Sequence, residues 1–84
     1  MIPLNDFQIL PFDKKCDYIT VFADYMIYRV QDEKKFYLYH VDTYFIEVCY
    51  APYENRVMGI KAFTDTKELE PYLEFINING VSVS

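Results

Sequence analysis

From Tyr25 to Thr64 the side chains alternate with a period of two, β-branched and aromatic residues dominate, and the runs are broken only by short polar connections. Strands at about 25–31, 35–42, 44–51 and 56–64 account for this pattern. Their connections, Asp32-Glu33-Lys34, Asp42-Thr43 and Pro52-Tyr53-Glu54-Asn55, are far too short for the crossovers that parallel strands need. The segment is therefore expected to fold as a four-stranded antiparallel meander in the order 1-2-3-4.

If Asp42-Thr43 is a two-residue loop, Val41 faces Tyr44, Tyr39 faces Ile46 and Tyr37 faces Val48. That face is wholly apolar or aromatic and is the expected core, joined by Met26, Tyr28 and Val30 from the first strand and Met58, Ile60 and Ala62 from the fourth. Asp-Thr lacks the glycine that a type I′ loop prefers, so a longer loop with a slipped register is the alternative.

Helical patterns flank the strands. Leu4-Asn5-Asp6-Phe7-Gln8-Ile9 reads as a helix start, with Asn5 as cap and Leu4 packed on Ile9. Pro11 interrupts it and opens a second helix to about Ala23, whose Phe12, Cys16, Ile19 and Ala23 share one face. Thr66 is placed to cap a final helix with a Leu69, Tyr72, Leu73 and Ile76 stripe; Pro71 delays its regular part to about Glu70. Asn79-Gly80 marks a turn, and 79–84 forms a short extra strand or a frayed tail. The expectation is a single α+β domain over 1–84, since a chain of 84 residues cannot support two cores.

Hydrophobic residues make up 52% of the chain, enough to offset ordering entropy, and nine Tyr and seven Phe supply much of the packing surface. Thirteen acidic against eight basic side chains give a net charge of −5, which repels a nucleic-acid backbone and favours basic proteins as partners. No run is long and apolar enough for a membrane span. Cys16 and Cys49 fit neither a zinc site nor a CxxC motif, leaving two free thiols or one disulfide. Met1-Ile2-Pro3-Leu4-Asn5-Asp6 has neither a basic start nor a long apolar run, so free thiols and a cytoplasmic setting are expected.

The second sheet face has no polar alternation to match. It brings together Tyr25, Ile27, Phe36, Leu38, His40, Phe45, Glu47 and Cys49, so something must cover it: the C-terminal helix, or another protein molecule. His40, Glu47 and Cys49 invite a nucleophile and base, but Cys49 lies roughly 13 Å from His40 at about 3.3 Å per residue, beyond hydrogen-bond reach. The single His and distant cysteines form no recognisable metal site, and Gly59 and Gly80 make no phosphate loop. Aromatic strands suggest base stacking on RNA, yet the motif is absent and the order of elements is wrong.

Leu10-Pro11-Phe12 with Lys15-Cys16, Phe45-Ile46-Glu47-Val48, Lys61-Ala62-Phe63 and Pro71-Tyr72-Leu73 together resemble a group of short uncharacterised bacterial proteins. The resemblance implies a bacterial origin and a cytoplasmic setting, and transfers no functional residue. The leading expectation is a noncatalytic interaction module without cofactor, homodimeric through Ile27, Phe36, Leu38, His40, Phe45 and Glu47. An acidic inhibitor, antitoxin or immunity protein presenting Glu68, Glu70 and Glu74 to a basic partner is the second reading, and a small enzyme using His40 and a carboxylate the third.

Overall fold

In the computed structural model, which describes residues 1–76, four antiparallel strands form one sheet in the order β1-β2-β3-β4: β1 Asp24–Gln31, β2 Lys34–Val41, β3 Tyr44–Ala51 and β4 Arg56–Phe63. The Asn79-Gly80 turn and the strand or tail expected over 79–84 lie outside the described residues. Val41 pairs with Tyr44, Tyr39 with Ile46 and Tyr37 with Val48, so the two-residue loop and its register hold. Asp42 takes positive φ, 54°, a conformation that Asp tolerates better than most residues. The first connection is one residue tighter than expected: Asp32 and Glu33 alone turn the chain, both at positive φ, 54° and 64°. Two successive residues of that kind are the mark of a type I′ hairpin turn.

Each edge strand carries one extra residue. The register shifts between Tyr25 and Ile27, leaving Met26 over, and between Cys49 and Tyr50, where Met58 is left over between Val57 and Gly59. These bulges correct two expectations. Met26 and Met58 are 47% and 41% exposed rather than core. Tyr25 moves from the second face to the first, where its ring meets Tyr37 and Tyr39. A one-residue insertion flips every side chain beyond it, which alternation alone does not reveal.

Two N-terminal helices lie on the first face, α1 Leu4–Gln8 and α2 Phe12–Phe22. They bury Phe7, Tyr18 and Ile19 against Val41, Tyr44, Ile46 and Ala62. The Tyr44 hydroxyl donates to the Ile2 carbonyl at 2.9 Å and the Ile2 N–H donates to the Tyr18 hydroxyl at 3.1 Å, which ties the N-terminal segment into this core. Helix entry differs from the expectation. Pro3 and Pro11 occupy the cap positions without a side-chain cap, Asn5 lies inside α1, and Ile9 is exposed instead of packing on Leu4. The fixed proline φ favours a helix start but offers no acceptor to the free N–H groups of the first turn. Ile19 and Ala23 of the expected α2 stripe do turn to the core, with Tyr18 beside them, whereas Phe12 is exposed.

After β4 the chain makes a 3₁₀ turn at Thr66–Leu69 and then α3, Glu70–Ile76, the late start that Pro71 implied. The cap is Asp65 rather than Thr66, its carboxylate accepting from the Lys67 N–H at 2.9 Å. Leu69 and Tyr72 turn inward, whereas Leu73 is exposed.

The strained turn yields the first prediction. Glu33→Gly places glycine after Asp32, the preferred type I′ pair, and should stabilise the fold by about 1 kcal/mol in urea denaturation. No gain in midpoint would mean that the turn carries no such strain.

Candidate interaction site

The second sheet face is already occupied. Leu38 and Phe63 are buried with Tyr72, and Ile27, Phe36, Phe45 and Leu69 pack around them. The side chains expected to meet another molecule are thus brought together as expected, but beneath the chain's own C-terminal segment, the first of the two covers the sequence allowed. Leu38 and Tyr72 have no exposed surface at all. The expected contact face is corrected accordingly: it is core over most of its area.

A polar cluster is set into this core. The Tyr72 hydroxyl donates to Glu47 at 2.7 Å, and Arg29 approaches the same carboxylate oxygen at 3.4 Å. The Arg29 guanidinium stacks on the rings of Phe36 and Tyr72, 4.2 and 5.0 Å from their centroids. A cation held over a ring in a desolvated setting stabilises by about 1–2 kcal/mol per contact. Glu47 thus serves α3 and β1 rather than His40. The His40 ring rests on Phe45, centroids 5.0 Å apart, and stands across the sheet from Asp24. Cys49 lies opposite Gly59 on this face, while Cys16 belongs to α2 on the other; both are free thiols.

An open cleft of about 460 Å³ adjoins the cluster. Its lining balances Arg29, Lys61 and Lys67 against Glu47, Glu68 and Glu70, and His40 takes no part. Lys61 binds Glu68 at 2.6 Å and approaches Glu47 at 3.9 Å, so these charges neutralise one another. Of the expected acidic surface, Glu68 is therefore engaged, Glu70 is exposed, and the Glu74 side chain lies outside the described residues. Among the described residues no three His, Cys, Asp or Glu side chains are grouped to hold a metal ion, and no helix is long and apolar enough to cross a membrane.

The surface that sequence reasoning missed is on the first face. The two short helices reach Val41, Tyr44, Ile46 and Ala62, but not the opposite end of the sheet. There Tyr50, Tyr37 and Tyr28, on three successive strands, follow one another with ring centroids 6.5 and 5.8 Å apart. Tyr25 joins at 6.4 Å from Tyr37, and the Lys35 ammonium lies over the Tyr28 ring at 5.3 Å. On β1 itself Tyr25, Met26, Tyr28 and Val30 are 53%, 47%, 46% and 57% exposed. The alternation had assigned Met26, Tyr28 and Val30 to the core; α1 and α2, of 5 and 11 residues, are too short to cover them.

Compared with known proteins, the chain matches no family model, no curated protein and no solved structure. Its function is therefore argued from these surfaces alone.

Burial raises the pKa of Tyr72 above the ordinary value near 10, and the Glu47 carboxylate beside it adds to the effect. Burial, with the Tyr18 hydroxyl, does the same to Tyr44. Both phenols stay protonated in the fold while the unfolded chain ionises near pH 10, so their contribution is complete below about pH 10 and lost as the pH rises beyond it. The urea midpoint should fall steeply above about pH 10, and less steeply in Tyr72→Phe. At neutral pH that variant should cost about 1.5–3 kcal/mol, because a hydrogen bond to a buried carboxylate is lost. Equal slopes in the two proteins would exclude this role for Tyr72.

Proposed function

We propose that the protein is a noncatalytic, cytoplasmic protein-interaction module that self-associates through the β1 side of its sheet. One observation carries the reading: Tyr25, Met26, Tyr28 and Val30 of β1 are all about half exposed, and the rings of Tyr25 and Tyr28 run on to Tyr37 of β2. At about 150–250 Å² for each large ring, side chains half exposed in this number present on the order of 500 Å², a size at which a monomer's largest patch is often functional. Tyrosine suits a contact surface because it offers large area with little side-chain entropy to lose and a hydroxyl that tolerates water. The second face, with Leu38 fully buried, is less available for this role.

Light scattering after size exclusion tests the reading. Wild type should pass from monomer to dimer as concentration rises. Each copy carries a net charge of −5, so screening the repulsion between copies should strengthen association as salt is raised, whereas binding to a basic partner would weaken. Tyr28→Glu should remain monomeric while losing less than about 1 kcal/mol of stability, as expected at an exposed site. A wild-type protein that stays monomeric at every concentration and salt level would overturn the proposal.

A further inference from the structure

The tyrosines of the first face form a network of neighbouring rings with Tyr37 at its centre. The Tyr37 centroid lies 5.8 Å from Tyr28, 6.4 Å from Tyr25 and 6.5 Å from Tyr50, and Tyr25 reaches Tyr39 at 5.8 Å. These are packing distances, and they also let an electron pass from ring to ring. A phenol is the most easily oxidised aromatic side chain here, because the chain has no Trp. Both cysteines lie elsewhere, Cys16 on α2 and Cys49 opposite Gly59 on the second face. Within the network Tyr28 and Tyr37 are the pair best arranged to react. They stand opposite each other in the β1–β2 register, and their rings are 33° from parallel, so their edges lie side by side. Tyr25 and Tyr39 are equally close but meet edge to face at 69°. Burial also lifts the Tyr39 phenol above its ordinary pKa, so it gives up its proton less readily.

From this geometry we infer that Tyr28 and Tyr37 are a modification site, joined by one-electron oxidation into a dityrosine that staples β1 to β2. The oxidant required is a peroxide activated by a haem peroxidase. Each phenol gives one electron to the oxidant and its hydroxyl proton to water, leaving a neutral tyrosyl radical. The Lys35 ammonium, 5.3 Å from the Tyr28 ring, opposes a radical cation there, so the proton leaves with the electron. The two radicals pair to form one carbon–carbon bond between ring carbons adjacent to the hydroxyls. The hydrogens on those carbons then move to the phenolic oxygens, and both rings regain aromaticity. In sum, two phenols and one hydrogen peroxide give one dityrosine and two waters. Rings already held together pair faster than rings that must meet from separate chains. Met26, half exposed on the same strand, takes oxygen from peroxide by a two-electron route that gives a sulfoxide and no cross-link. The staple forms within one copy of the chain and so goes beyond the self-association proposed above.

Treatment of the full chain with hydrogen peroxide and a haem peroxidase at low protein concentration, followed by dityrosine fluorescence and peptide mapping by mass spectrometry, tests the site. The principal cross-linked product should be a monomer lighter by two hydrogens, with the new bond between Tyr28 and Tyr37. Tyr37→Phe keeps the ring but has no hydroxyl proton to lose, and should lower the yield of cross-linked monomer on the order of tenfold. Tyr39→Phe should leave that yield unchanged. Tyr53, 84% exposed on the β3–β4 connection, marks the opposite outcome. If access rather than ring contact governs the reaction, covalent dimers through Tyr53 form first. Products mainly between chains, or a cross-linked monomer whose yield persists in Tyr37→Phe, would overturn the site.

Discussion

The structure depends on a central hairpin that must be dry on both faces. Ile46 of β3 and Leu38 of β2 point to opposite sides of the sheet, and neither retains any exposed surface. An antiparallel sheet can ordinarily leave one face to water; this one cannot, because its second face carries Leu38, Phe36, Phe45 and Phe63. Each face therefore needs its own cover. The chain supplies one from each side of the meander, the N-terminal helices for the first face and Leu69 and Tyr72 of the segment after β4 for the second. Tyr72 is pivotal in the second cover. It fills the apolar gap with its ring, stacks with Arg29, and uses its hydroxyl to satisfy Glu47.

That polar cluster has a definite cost. Glu47 and Arg29 have side chains only 12% and 11% exposed, so each loses most of its hydration. Their mutual attraction offsets this only with further partners, which Tyr72, Lys61 and the flanking rings provide. Arg29 Nε is buried without a hydrogen-bond partner among the described residues, so part of the cost is met by stacking on Phe36. An apolar residue at position 29 would leave Glu47 with one cation fewer beside Tyr72. The cluster thus couples β1, β3 and α3, and its members lose their compensation together.

What the sequence made legible follows from the physics of each element. Strand number, order and the β2–β3 register could be read because short connections leave an antiparallel meander little freedom and a one-residue slip would expose every residue facing Ile46. The delayed start of α3 could be read because Pro71 lacks an N–H. The bulges at Met26 and Met58 could not, since an extra residue changes facing without changing composition. Nor could the cover of the second face: an inward Tyr72 and an incoming partner satisfy the same apolar pattern, and only the path of the chain after Phe63 separates them. The helix caps failed for a related reason. Pro3 stands two residues from Asn5 and Asp65 one residue from Thr66, the polar residues that seemed the better caps.

The incomplete cover of the first face is where stability and function part. Two helices of 5 and 11 residues bury Tyr44 and Ile46 but leave Tyr28, the β1 end of the ring row, exposed, with Tyr37 and Tyr50 half-buried behind it.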